Sequence, residues 1–280
     1  MEYSKSIVEV IKERTSSRTF DGRKIDEIAL RKLSDYIAQI NQENKIKGRF
    51  VLVRNSGANP EKPVKLGTYG FISGADSFLV GIIDKEEKDA LTFGYLFEKI
   101  ILCATDLGIQ TCWLGGTFNK SDFEKTVNLR ENEFIPIVSP IGYKRENPRI
   151  FETVMRFSIG ADKRKAWNEL FFEKNNSEPM NEKTIGAYAL PLEMVRLGPS
   201  ASNKQPWRII HDGQAYHFFL CRTKGYGVMA YDLQKNDMGI AKCHFELSAG
   251  ELGLKGRWEI TGGTEAPDEW EYTATWIAEK

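Results

Sequence analysis

The sequence predicts an α+β protein built of two similar helix–sheet halves fused in one chain. Three observations lead to this reading. Apolar residues recur at helical spacing in some segments and fill short strand-like runs in others. One helix–glycine–tryptophan stretch occurs twice. The elements around both copies follow one order: a helix, a strand, the recurring helix and a further strand.

Along the chain, Ile7, Val8 and Ile11 place a first helix over Tyr3 to Glu13, ending near Arg14. "RTSSRTFDGRKI" is polar, with Asp21-Gly22 as a turn signal. Asp26 can cap a second helix whose Ile28, Leu30, Leu33, Tyr36, Ile37 and Ile40 form an apolar stripe. "RFVLVRN" (49–55) and "SFLVGIID" (77–84) read as strands, with a loop holding Pro60 and Pro63 between them. Next come "GYLFEKIILCATDLGIQTCW" from Gly94 to Trp113 and, later, "GIAKCHFELSAGELGLKGRW" from Gly239 to Trp258. Without a gap they match at Gly94/Gly239, Leu102/Leu247, Ala104/Ala249, Leu107/Leu252, Gly108/Gly253 and Trp113/Trp258. Each is an apolar helix closed by a glycine suited to the left-handed C-terminal position. Before the second copy stand the helix "TIGAYALPLEMVRLG" and the hairpin "WRIIHDGQAYHFFLCR", with Asp212-Gly213 at its tip. The boundary falls near 171–183, giving halves of residues 1–172 and 173–280.

Composition narrows the function. Thirty-nine basic residues balance 39 acidic ones, whereas a duplex-binding protein carries a basic excess, so no nucleic-acid partner is expected. Cys103, Cys112, Cys221 and Cys243 form no C-x-x-C pair, which points to a reducing, cytoplasmic setting. No apolar run approaches the ~20 residues of a bilayer span, and no membrane association is expected. There is no G-x-G-x-x-G between strand and helix, no phosphate-binding G-x-x-x-x-G-K-[ST] and no G-x-S-x-G. His211, His217 and His244 lack metal-ligand spacing and read as structural, and no metal site is expected.

Two stretches could carry chemistry. In "RTSSR", Arg14, Ser16 and Arg18 alternate, which in extended backbone puts three donors on one side, suited to an anion. The alternative is a solvated helix end with two surface arginines. "LGPSASNKQPWRII" offers Ser200, Ser202, Asn203 and Gln205 between two stiffening prolines, Pro199 and Pro206. The alternative there is a loop capped by its own side chains.

Together, in this order, the two stretches resemble the motifs of the FMN-dependent nitroreductase family. R-x-S-x-R after the first helix is similar to its flavin-phosphate motif, and P-S-x-x-N-x-Q-P-W to its second flavin motif. "LGIQTCWLGGTF" (107–118) is similar to a third, and "IGY" (141–143) with "DKRKAWNELFF" (162–172) to its closing strand and tail. Ordinary members carry both flavin motifs on one short chain and pair into homodimers with two composite sites. Here the first half has Arg14-Ser16-Arg18 but "AQINQENKIKGRF" where its second motif belongs. The second half has Pro199-Ser200-Asn203 but no R-x-S-x-R. The resemblance therefore implies a fused pseudo-dimer, monomeric, with one surviving flavin site.

The resemblance assigns cofactor contacts to Arg14, Thr15, Ser16, Arg18, Leu114, Gly115, Gly116, Lys163, Arg164, Pro199, Ser200, Ala201 and Asn203. Arg14 and Ser16 would hold the FMN phosphate and ribityl chain, with Lys163 and Arg164 as further phosphate ligands. Arg18 would face the flavin N1/O2 edge. Gly115 and Gly116 would offer a backbone N–H to N5, and Pro199, Ser200, Ala201 and Asn203 would line the ring. No catalytic protein acid, base or nucleophile is required. The implied activity is an FMN-dependent NAD(P)H oxidoreductase serving a small electron-poor acceptor such as a nitroaromatic or quinone. The alternatives are a specialised flavin enzyme of the same fold, a flavin-binding or sensory module without turnover, and a protein that has lost flavin.

Overall fold

The computed structural model describes residues 3–54, 66–75, 77–174, 178–226 and 231–279. Pro60 and Pro63 of the expected loop lie outside them. The chain runs α1 (Ile7–Glu13), α2 (Glu27–Glu43), β1 (Gly48–Arg54), β2 (Ser77–Asp84), α3 (Ala90–Asp106), β3 (Gln110–Thr111), α4 (Lys120–Glu124) and β4 (Glu133–Gly142). It continues through α5 (Ile150–Ser158), β5 (Phe171–Glu173), α6 (Ala189–Leu197), β6 (Trp207–Asp212), β7 (Ala215–Cys221), α7 (Leu233–Glu251), β8 (Gly256–Glu259) and β9 (Trp270–Ala278). Two compact units result. The first holds residues 1–5, 13–89 and 96–159, the second 6–12, 90–95 and 160–280.

In the first unit β1, β2, β4 and β3 form an antiparallel sheet in that order. β2 is buried along its whole length, which its unbroken apolar run requires. Phe78, Val80, Ile82, Leu114, Phe118, Phe123, Ile135 and Val138 pack as one core. α2 begins where the Asp26 carboxylate accepts the N–H groups of Ile28 and Ala29 at 3.0 and 3.1 Å. Its buried stripe is Leu30, Leu33, Tyr36, Ile37 and Ile40. Ile28, expected in that stripe, is instead 69% exposed. At 100° per residue it falls on the side of the helix away from Leu33. The first helix is also shorter than expected, because the N–H groups of Ser4 and Lys5 turn to the Asp106 carboxylate.

The second unit carries β5, β6, β7, β9 and β8 in that order, with β5 parallel to β6 and the rest antiparallel. The Asp212-Gly213 hairpin forms as expected, Asp212 pairing with Ala215. Trp207, Phe218 and Phe245 pack with Leu192, Val195 and Met238 beneath the sheet. Burying each such side chain contributes roughly 1.5–3 kcal/mol.

Chain order repeats between the sheets: β1-β2-β4-β3 in one and β6-β7-β9-β8 in the other, and β2–β4 and β7–β9 each carry a register shift. The matched helices end alike. Gly108 and Gly253 take φ 75° and 70°, and the next N–H reaches back to Ala104 O at 2.8 Å and Ala249 O at 3.0 Å. The matched tryptophans also act alike. Trp113 Nε1 donates to Glu98 on α3 at 2.9 Å, and Trp258 Nε1 donates to Glu246 on α7 at 2.8 Å. Within the second unit, the start of α3 crosses α7 at a reciprocal contact. A Cβ on Gly94 would lie 2.2 Å from Asn236 O, and one on Gly239 would lie 2.0 Å from Leu91 O. Leu91 precedes Gly94, and Asn236 precedes Gly239, by the same number of residues.

Candidate functional site

In the first unit, residues 14–20 leave α1 as an extended segment tied down along its length. Ser17 N donates to Thr111 O at 2.9 Å, Phe20 N to Ser73 O at 2.8 Å, and Ser73 N to Arg18 O at 3.0 Å. This backbone buries Arg14 and Arg18, leaving 6% and 9% exposed, while Thr15 faces solvent. Arg14 Nε and Nη1 and Arg18 Nη1 are shut from solvent with no acceptor, as is the Thr111 hydroxyl beside them in the chain pairing. Burial pulls Arg14 below the ordinary arginine range, against the pull of Glu98. Arg14, Ser16 and Arg18 all act on the Cys112 thiol, which burial nevertheless raises. So the expected donors Arg14, Ser16 and Arg18 share one electrostatic environment with the Cys112 thiol.

α5 holds this segment from one side. The Glu152 carboxylate accepts Arg18 N–H at 3.0 Å, and Arg156 Nη1 donates to Ser16 O at 3.2 Å. Glu152 is the one buried residue of this helix, while Ile150, Val154 and Phe157 are 83%, 58% and 87% exposed. Its apolar residues face outward because its inward contact is a carboxylate on a backbone N–H. The charges of Glu98 and Arg156 act on Arg14, and those of Arg14, Arg18 and Glu152 act on Cys112. An unsatisfied buried guanidinium is costly alone and favourable with an anion on its free edge.

Leu114 bridges Val138 through two backbone bonds of 2.9 and 3.0 Å, and the chain then bends through Gly115 and Gly116. Gly115 is half-buried and Gly116 exposed. Neither N–H donates to another backbone or side-chain group among the described residues.

In the second unit Lys163, Arg164, Ser200 and Asn203 join one hydrogen-bond network. Asn203 Nδ2 donates to Gly160 O at 2.7 Å and Lys163 O at 2.9 Å. Arg164 donates to Ala161 O and Lys163 O at 2.9 Å and to Leu197 O at 3.2 Å, capping the end of α6. Ser200 Oγ accepts Gln205 N–H at 2.8 Å, and Gln205 Oε1 accepts Lys165 N–H at 2.7 Å. Ser202, Asn203 and Gln205 take φ of 48°, 56° and 50°. Left-handed backbone at three non-glycine residues is strained, of order 1–3 kcal/mol each where the side chain gives no relief. The network over-determines the loop. Pro199 and Ala201 are half-buried, and Ala201 N–H donates to both oxygens of Asp237 at 3.1 Å. Asp237 is buried in α7, and that burial, outweighing the one N–H, holds its carboxyl well above the usual range. In this unit the polar side chains expected to line the ring are spent within the protein, Ser200 on Gln205 N–H and Asn203 on the carbonyls of Gly160 and Lys163, so the loop has backbone and apolar surface to offer.

Sequence reasoning missed Cys112, Glu152, Arg156 and Asp237. Nothing in local spacing marks them, since each meets its partners through tertiary packing. Each histidine has a hydrogen-bond partner within the second unit: His211 with Glu173 at 3.0 Å, His217 with the Thr275 hydroxyl at 2.8 Å, and His244 with Met194 O at 2.9 Å.

A solved structure described as a "putative nitroreductase" from Thermotoga maritima MSB8 aligns over 99% of this chain and 95% of its own. Its TM-score is 0.59 at 19% identity. The fold is therefore the nitroreductase fold, in the type that fuses two similar helix–sheet halves in one chain. A family profile described as "Putative TM nitroreductase" matches residues 6–249, and the chain belongs to this nitroreductase family. Shorter proteins align over part of the chain. A nitroreductase with bound FMN from Desulfitobacterium hafniense DCB-2 covers 52% of this chain and 94% of its own, at 22% identity and TM-score 0.40. A nitroreductase family protein from Clostridium difficile 630 covers 51% and 86%, at 19% identity and TM-score 0.40. No curated protein matches. Among the described residues no helix is long and apolar enough to cross a membrane.

Proposed function

We propose that the chain is an FMN-dependent oxidoreductase that takes reducing equivalents from NAD(P)H and passes them to a small electron-poor acceptor such as a nitroaromatic or quinone. The observation that carries this reading is the pair of buried arginines, Arg14 and Arg18, whose free N–H edges lie in the segment that resembles the family's phosphate motif. Such groups fit a phosphate and an electron-rich ring edge. Bound FMN supplies the hydride-accepting and hydride-donating centre. The protein's part is to hold and tune. Arg14 and Ser16 bind the phosphate and ribityl chain, with Lys163 and Arg164 as further contacts. Arg18 sets the charge beside N1/O2, and Glu152 fixes the Arg18 backbone. Gly115 and Gly116 present N–H groups that have no acceptor among the described residues. The loop of Pro199, Ser200, Ala201 and Asn203 offers a rigid wall, and no protein acid, base or nucleophile is required. Alignment of donor and acceptor is most of the catalysis required.

The halves of the duplication are proposed as residues 1–172 and 173–280. Each set of motif residues occurs once, so the chain is proposed to act as a monomer with one FMN. The free thiols of its four cysteines accord with a cytoplasmic setting. Titration of flavin-free protein with FMN should saturate at one equivalent per chain, and the loaded protein should oxidise NAD(P)H when a nitroaromatic is added. Saturation at two equivalents would mean a further unrecognised site. Absence of FMN binding ends the proposal, and binding without turnover leaves a flavin-binding module.

A further inference from the structure

The first unit carries an apolar patch on its surface, centred on α5. At 100° per residue Ile150, Val154 and Phe157 fall within about 60° of one another, and Glu152 and Arg156 fall on the opposite side. Those two meet Arg18 N–H and Ser16 O, which holds the helix with its apolar side outward. Phe151 and Tyr69 extend the patch. The Arg149 guanidinium donates to Gly70 O at 3.2 Å and Phe71 O at 3.0 Å, setting the start of α5 against the turn that carries Tyr69. Phe151 packs on Phe71 with ring centres 5.6 Å apart. Five of the eight large apolar side chains exposed among the described residues thus gather in one region, while Ile28, Leu252 and Ile260 stand singly along the chain. Single exposed apolar residues are ordinary, whereas a contiguous group marks a contact surface.

The surroundings of this patch are basic. Residues 144–156 hold Lys144, Arg145, Arg149 and Arg156 against Glu146 and Glu152, and Glu152 is turned inward. The chain as a whole has as many acidic as basic residues, so this excess is local. Arg145 N–H and Arg149 N–H both donate to Thr19, to its carbonyl at 3.2 Å and its hydroxyl at 3.3 Å. The two arginines therefore leave the same spot at the start of α5, and Lys144 and Arg145 are exposed there. A second copy of the chain would bring a surface of the same sign to this place, whereas an anionic one complements it.

We infer that this face of α5, with Tyr69, docks on an anionic lipid bilayer. The apolar side chains enter the headgroup region, and Lys144, Arg145 and Arg149 meet the lipid phosphates. The expectation of no membrane association rested on the length of apolar runs, and a helix lying in the interface needs no spanning run. The cytoplasmic leaflet is an anionic surface of this kind, in keeping with the proposed setting of the protein. A single short helix gives reversible attachment, so the chain exchanges between the bilayer and solution. The surface belongs to α5 and its neighbours and does not depend on the proposed oxidoreductase function.

The test is flotation of the full chain with vesicles of phosphatidylcholine, alone or mixed with phosphatidylglycerol. Binding should require the anionic lipid and should weaken as salt is raised. Ile150→Ser/Phe157→Ser should weaken it at least about tenfold, with circular dichroism matching the parent because both side chains are exposed. Ile150→Leu/Phe157→Leu keeps the apolar surface and should keep the affinity. Lys144→Gln/Arg145→Gln should weaken binding about tenfold or more at low salt and flatten the salt dependence. No binding to the mixed vesicles, equal binding to both kinds, or no effect of the serine substitutions overturns the inference. Poly-L-glutamate bound as tightly as the vesicles overturns the lipid assignment in favour of an acidic protein. A dimer that the serine substitutions disperse, in a chain that ignores vesicles, gives the face to a second copy and overturns the inference as well.

Discussion

Replacing Arg14 and replacing Arg18 should have opposite signatures, although both are buried and both act on the same thiol. On the proposed reading Arg14 meets a phosphate whose charge is constant, so Arg14→Ala should weaken FMN binding by ~1–3 kcal/mol with little change in midpoint potential. Arg18 faces the ring edge that gains negative charge on reduction. Arg18→Ala should therefore lower the potential by roughly 20–65 mV while leaving much of the affinity. Redox titration of both variants beside the parent protein separates the roles, and an unchanged potential in Arg18→Ala removes it from the ring edge. Asp237 makes a prediction about pH. Its folded pKa is raised by burial, so its contribution is complete below the unfolded value of about 4 and is lost as pH rises through the folded value. Asp237→Asn, which keeps an acceptor for Ala201 N–H, should match the parent near pH 4 and become the more stable of the two as pH rises. Denaturant midpoints across that range check the sign.

At the level of elements, the crossing of α3 and α7 depends on two glycines. Gly239→Ala would set a Cβ 2.0 Å from Leu91 O and 2.5 Å from Tyr95 N, and the helices would have to part. A loss of about 1–3 kcal/mol or more is expected, read as a lower denaturant midpoint, with Gly94→Ala behaving alike. Ala at Gly250, where a Cβ meets nothing within 4 Å, is the control and should not destabilise. These glycines were visible in the sequence as a matched pair, because close backbone approach leaves only one residue type to choose. The strands at Gly48–Arg54 and Ser77–Asp84, the Asp26 cap and the Asp212-Gly213 hairpin were equally legible, being set by local pattern, whereas β4, β5 and β9 were not legible as strands from pattern alone. α5 was not. Its apolar residues point outward and its one buried residue is an acid, the reverse of what periodicity assumes. The polar side chains of residues 199–205 were legible as a special loop but not in their partners. Asn203 and Gln205 reach back to residues 160–165, a distance in sequence that no motif spans.

For the whole molecule, the duplication and the compact units divide the chain differently. Residues 6–12 and 90–95 precede the proposed junction of the halves at 172/173, yet they belong to the second unit. α3 thus starts in one unit and continues in the other. Severing the chain between 172 and 173 would strip the second unit of Gly94's half of its glycine contact and of Ile7 and Val8, whose N–H groups donate to Glu251. Fragment 173–280 made alone should remain unfolded or aggregate. Co-expressed with fragment 1–172, it should be rescued, and circular dichroism with size-exclusion chromatography would show this. Independent folding of the isolated piece would mean that the borrowed segments are dispensable. Because residues 6–12 and 90–95 belong to the second unit, its borders in space and its borders in the gene differ, and no single cut of the coding sequence would deliver that unit whole.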